Sequence, residues 1–160
     1  YLYGGGNSKL GEAVGGNEED GARVRKALEK NIPALGLLNK AVADKVSRGF
    51  LFGLDGRKIS IRHKHAALNT LLQSSGALVC KYWVIYFHDI LKERGYIIGK
   101  DYIQHGWVHD EIIVSYSPNL KHEELEEISR LAVQRAGERL KCRIQLDISA
   151  SSGDNYSEVH

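Results

Sequence analysis

The sequence predicts an α+β chain, with a few antiparallel strands backed by long helices on one face. Two observations carry this. A single helix-periodic stretch of about 30 residues, from His65 to Arg94, would extend near 45 Å at about 1.5 Å per residue. Short strand-like runs lie on either side of it, at Phe50–Arg62 and Tyr102–Tyr116, each interrupted by a turn short enough for a hairpin. The composition agrees: 160 residues, 42% apolar and 26% charged, are ordinary globular values with room for one domain or part of a larger one.

Gly4-Gly5-Gly6-Asn7 and Gly15-Gly16-Asn17 are breaker clusters that bracket a short element, Ser8 to Ala13. Glu18 to Lys30 reads as a helix with Asn17 as its N-cap and Val24, Ala27 and Leu28 on the apolar face. Pro33 suits the first turn of a second helix to about Val46, with Leu35, Leu38, Val42 and Val46 on one side. Phe50–Leu54 and Arg57–Arg62 flank Asp55-Gly56, the favoured pair for a tight primed hairpin turn. The long helix follows, with Gly95 as its C-terminal glycine. Tyr102–Val108 and Ile112–Tyr116 are two strands joined through His109-Asp110-Glu111. After a turn at Ser117-Pro118-Asn119, His122 to Leu140 forms an amphipathic helix with Leu125, Ile128, Leu131 and Ala132 inward. Cys142 to Ile148 alternates as a final strand.

Charge and cysteine usage exclude several classes. The 22 Lys and Arg against 20 Asp and Glu leave a net charge of +2, which does not point to nucleic acid. Locally the balance differs. Lys40, Lys45, Arg48, Arg57, Lys58, Arg62 and Lys64 face only Asp44 and Asp55 between positions 40 and 64. Such a patch is either a solvated face or a surface for phosphates. No apolar run approaches the roughly 18 residues of a membrane span, and no secretory signal is expected at the start. Cys80 and Cys142 are too few for a disulfide scaffold or a thiolate zinc site, and read as reduced core residues of a cytosolic protein. A chain that starts with Tyr and has no Met is expected to be an excised piece or a segment of a longer gene.

Two constellations carry chemistry. In Trp107-Val108-His109-Asp110-Glu111-Ile112-Ile113-Val114, apolar strands flank an imidazole and two carboxylates. Hard divalent cations such as Mg²⁺ take one or two carboxylates at well-defined geometry, which a rigid hairpin tip can supply; the alternative is an exposed polar turn. On the long helix, His65, Asn69, Gln73 and Gly76 form one polar stripe. Its donors could test the acceptor that every base pair presents in the minor groove, or simply face solvent.

The runs Gly53-Leu54-Asp55-Gly56-Arg57-Lys58, His65-Ala66-Ala67-Leu68-Asn69-Thr70-Leu71-Leu72-Gln73-Ser74-Ser75-Gly76-Ala77 and Val108-His109-Asp110-Glu111 together resemble family A DNA polymerases. The phage replicative branch resembles them more closely than the bacterial branch, through His65 and the terminal His160. The resemblance runs the length of the chain in the right order and favours the chemical reading of both constellations. It implies a palm-type antiparallel sheet backed by long helices over 48–160, preceded over 1–47 by the terminal helices of a fingers subdomain. Val108–Glu111 would be motif C, with Asp110 a catalytic, metal-binding aspartate and Glu111 its catalytic neighbour. His109 would sit by the primer terminus. Tyr3, at the end of the motif B fingers helix, would lie beside the template base. Asn69 and Gln73 would touch the minor groove, and Arg57 and His65 would also contact DNA. The implied reaction is two-metal transfer of a nucleotide from a dNTP to a primer 3′ hydroxyl, with Mg²⁺ as cofactor.

The departures matter as much. The motif A aspartate and the triphosphate-clamping front of motif B lie upstream of Tyr1, and Asp55, in its Asp-Gly turn, is no substitute. The chain therefore carries about half a catalytic centre and should be inactive alone. Its partners would be primer–template DNA, dNTP and the upstream polymerase segment, in the cytoplasm of a phage-infected host and without a membrane. Two readings from other classes are a non-catalytic duplex DNA-binding module and a metal-dependent phosphohydrolase built on His109, Asp110 and Glu111.

Overall fold

The computed structural model describes residues 5–159, so Tyr3 lies outside the described residues. The chain divides after Ser75 into two compact units, and a single long helix runs through the division.

In the first unit, helices α1 (Asn7–Ala13) and α2 (Glu18–Asn31) cross at glycines. A Cβ on Gly21 would lie 1.8 Å from the Asn7 carbonyl oxygen, and one on Gly11 would lie 1.9 Å from that of Asn17. Only hydrogen fits where these backbones meet. Asn17 caps α2 as expected, and Asp20 completes a capping box: the Asn17 side chain accepts from the Asp20 amide while the Asp20 carboxylate accepts from the Asn17 amide. Pro33 opens α3 (Pro33–Val46). Val42 and Val46 on α3 pack with Leu51, Ala67 and Leu68 in the core of this unit.

Strands β1 (Phe50–Phe52) and β2 (Lys58–Ser60) pair antiparallel, Phe52 opposite Lys58. The tight Asp55-Gly56 turn expected here is replaced by a wider loop. Gly56 N–H donates to the Gly53 carbonyl, and Gly53 N–H donates to that of Arg57. Gly56 has a φ of +78°, the pattern of a three-residue hairpin loop that ends in a left-handed glycine. Asp55 spends its carboxylate on the Arg57 amide and guanidinium, which stabilises the wider loop.

The long helix is shorter at its start than its periodicity suggests. Lys64–Ala66 is a 3-10 turn, and α4 spans Ala67–Glu93. Gly95, with φ +89°, ends it as expected, and the Tyr96 amide donates back to the Leu91 carbonyl.

The second unit packs the later part of α4 with a hairpin, β3 (Tyr102–Val108) and β4 (Glu111–Tyr116), and with α5 (His122–Arg139). Phe87 and Leu91 of α4, Tyr102 of β3, Leu120, and Ile128, Ala132 and Ala136 of α5 are its fully or nearly buried centre. Leu131, expected inward, is 36% exposed, and Val133 is buried instead.

The final strand expected over Cys142–Ile148 does not form, and among the described residues no strand pairs with it. Alternation gives a strand only where an edge offers backbone partners. Here Lys141 turns the chain at φ +55°, and the segment lies as an irregular run. Leu146 and Ile148 pack on the core, and Ile144 stays 73% exposed. Asp147 holds the run by accepting from Arg130 at 2.8 Å. The α+β class stands, with the antiparallel strands arranged as two separate two-stranded sheets.

Candidate functional site

The β3–β4 hairpin carries the three ionisable residues at its tip. Val108 pairs with Glu111, so the turn is the two residues His109 and Asp110, and Glu111 already belongs to β4. His109 has a φ of +53°, the sign a two-residue hairpin turn needs at its first position. A local side-chain bond accompanies it: the Trp107 indole N–H donates to the His109 carbonyl at 2.9 Å. Asp110 and His109 are exposed, and Glu111 is half-buried.

A bulge between Gln104 and Gly106 sets which way this hairpin faces. It leaves His105 as the extra residue and shifts the register, so Trp107 comes opposite Ile112, one of the residues packed on the core. Without it Trp107 would fall on the other face from Tyr102 and Gln104, because side chains alternate along a strand. His105 bonds to Ser115 across the hairpin at 2.7 Å.

Beneath the strand, His88 of α4 bridges two β3 side chains. Its Nδ1 lies 2.9 Å from the Tyr102 hydroxyl and its Nε2 lies 2.7 Å from Gln104 Oε1. Burial pushes the Tyr102 hydroxyl above its ordinary value, so it stays a donor. With Nε2–H donating to Gln104, the neutral tautomer leaves Nδ1 to accept from Tyr102. This pair of bonds fixes β3 on the helix. Cys80, farther back on the same helix, feels the tip: its thiol is pushed up first by burial and then by the Asp110 carboxylate. Sequence reading missed all of these supports. The signals were a lone histidine on an apolar helix face and a tryptophan two residues before the turn.

The groove-contact candidates belong to the first unit or to its 3-10 turn. Asn69 is half-buried and Gln73 exposed on α4. Arg57 reaches back from its hairpin to Ser74 at 3.2 Å, next to Gln73 in the helix. His65 lies on the 3-10 turn ahead of α4 and stacks on His63, ring centres 5.6 Å apart.

Comparison with known proteins agrees with these motifs. The profile of DNA polymerase family A matches residues 1–158. The DNA-directed DNA polymerase of Enterobacteria phage T3 is 36% identical over 177 aligned positions, covering all of this chain and 25% of that protein. That of Escherichia phage T7 is 35% identical with the same coverage. The chain therefore spans about a quarter of the length of these relatives. A solved structure titled as the POL domain of Pol1 from M. smegmatis, in complex with DNA primer-template and dNTP, superposes with a TM-score of 0.71. It is 20% identical, covers 84% of this chain and 25% of that one, and shares the fold. A family profile that spans nearly every residue and phage relatives aligned from end to end leave one assignment: the chain belongs to DNA polymerase family A.

Proposed function

We propose that this chain supplies the motif C half of a DNA-directed DNA polymerase that extends a primer 3′ hydroxyl with dNTPs along a template. Residues 1–47 are then the distal fingers helices and 48–160 the palm. The observation that carries the reading is Asp110, an exposed carboxylate on a two-residue turn within the run Val108–Glu111 that resembles motif C. Family membership supports the reaction class. The primer-template and dNTP of the related Pol1 complex support the two ligands.

The donor chemistry fits Mg²⁺. Asp110 and Glu111 offer hard oxygens at adjacent positions of one tip, and the Cys80 thiol, held protonated by burial, offers no soft thiolate. Among the described residues no three His, Cys, Asp or Glu side chains gather around one point. Mg²⁺ accepts such a partial set, since it commonly takes one or two carboxylates plus substrate phosphates. Asp110 would hold the ion with Glu111 beside it, and the upstream segment would add the motif A aspartate and the phosphate-binding cations. When bound, a pair of such ions activates the attacking hydroxyl and steadies the pyrophosphate that leaves.

This chain's own side chains position the substrates. His109 meets the primer terminus, and Asn69 and Gln73 donate to groove acceptors that all base pairs share. Arg57 neutralises phosphates of the duplex, His65 contacts the DNA on the approach to α4, and Tyr3 lies beside the template base.

The test is Asp110→Asn in a polymerase carrying this segment. Incorporation should fall more than about a hundredfold, about 2.7 kcal/mol in the barrier, with primer-template affinity kept. A loss under about tenfold, about 1.4 kcal/mol, refutes the motif C reading.

A further inference from the structure

We propose that the groove between α3 and β1 binds an unpaired DNA strand, one base stacking on Phe52 and the flanking phosphates meeting Lys45 and Arg48. This goes beyond the polymerase reading and rests on it only for the source of the strand, the unpaired template.

The groove encloses about 190 Å³ and is lined by Leu38, Lys45, Arg48, Phe50 and Phe52 among others. That volume admits one planar ring system and excludes a duplex or a folded segment. Phe50 and Phe52 stand two apart on β1, so they share a face, while Leu51 between them turns into the core. The two rings meet edge to face at 5.4 Å. Lys58 lies 4.9 Å from the centre of the Phe50 ring, so Phe50 already has a cation on it. Among the described residues no cation is placed over the Phe52 ring, and Phe52 is 56% exposed, which leaves much of this large apolar side chain in water beyond its contact with Phe50.

Charge selects the occupant. Among the described residues the only ionisable groups lining the groove are Lys45 and Arg48, and both are cations. The hairpin's acid, Asp55, is already engaged by Arg57. An open aromatic face flanked by cations is how single strands are held without sequence preference, because every base has a stacking surface and every residue a phosphate. An apolar protein segment would use Phe52 and Leu38 and leave two cations desolvated and unmatched.

The experiment measures affinity of the full polymerase carrying this segment for an oligothymidylate of about twelve nucleotides and for a blunt-ended duplex. Phe52→Ala should weaken the oligothymidylate about tenfold and leave the duplex unchanged. Lys45→Ala with Arg48→Ala should lower the salt slope for the single strand by about 1.4, at about 0.7 per phosphate. Phe52 is exposed, so its truncation opens no core cavity, and an unchanged melting curve verifies this. Phe52→Leu retains the apolar bulk but not the ring and should behave as Phe52→Ala. If Phe52→Leu binds like wild type, Phe52 serves a protein segment and the proposal fails. It fails equally if Phe52→Ala changes neither ligand or weakens both alike. An Asp110→Asn result that defeats the polymerase reading leaves the oligothymidylate comparison intact, so the two failures are separable.

Discussion

The two hairpins solve the same problem by opposite means. In β1–β2 the loop carries Gly56 at φ +78°, and Asp55 bonds the backbone and side chain of Arg57. Every residue there does what its own chemistry prefers. In β3–β4 the chain reverses in two residues without glycine, puts His109 at φ +53°, and sets the Trp107 indole N–H on its carbonyl. A non-glycine residue in the left-handed region costs about 1–2 kcal/mol and persists only where surroundings enforce it. Local preference is obeyed in the loop that carries Gly56 and overridden in the turn that carries His109 and Asp110. Lys141, at φ +55°, shares that backbone region where the chain only changes direction after α5, so the contrast between the hairpins has to be tested by function.

The largest test sets the two turn aspartates against each other. Asp110→Asn should cost more than about a hundredfold in incorporation, while Asp55→Asn should stay within about twofold, under about 0.5 kcal/mol of barrier. Equal losses in a primer-extension assay would remove the functional distinction between the hairpins. Next in size is backbone strain. Gly56→Ala should lower stability by about 1 kcal/mol, because a side chain enters the left-handed region. His109→Gly should instead leave thermal stability level or slightly higher, with relief of strain set against about 0.5–1 kcal/mol of added chain entropy. Thermal melts that move both variants the same way would show that His109 is not held against its preference.

A smaller effect is expected for Trp107→Phe, which removes one hydrogen bond to the tip, about 0.5–1.5 kcal/mol. Amide exchange at Asp110 and Glu111 should quicken, while exchange in the Gly53–Arg57 loop stays as it was. The smallest effect lies in the run after α5, which serves as an acid-sensitive control outside both turns. The Ile148 amide, and next the Arg130 guanidinium, hold the Asp147 carboxyl below the usual carboxylate range. Its contribution is therefore present above that range and lost as pH falls through the lowered value. The protection of the Ile148 amide relative to its intrinsic exchange rate at each pH should fall on acidification in the wild type, and an Asp147→Asn variant should lack this step.

Much of the molecule could be read directly from local chemistry. Asn17, Pro33 and Gly95 mark helix ends because each satisfies or omits a backbone group that the terminus leaves unpaired. The long apolar period made α4 legible, and the acidic turn between apolar runs made Asp110 and Glu111 legible as a pair. Errors arose where a neighbour decides. Leu131 has the right spacing for the core, yet α5 packs with it at the margin. Cys142–Ile148 has the alternation of a strand, yet among the described residues no edge accepts it. The Asp55-Gly56 pair fits a two-residue turn, yet Phe52 and Lys58 pair farther back and leave a wider loop.

By itself the sequence determined the α+β class, the helix ends marked by Asn17, Pro33 and Gly95, and the acidic pair beside the β3–β4 turn, because caps, periodicity and residue order are written in neighbouring positions. Only the tertiary structure decided the bulge at His105 that sets Trp107 opposite Ile112, and the His88 bridge to Tyr102 and Gln104. The physical reason is separation along the chain. His88 meets residues 14 and 16 positions away, and such contacts exist only after packing has set the register.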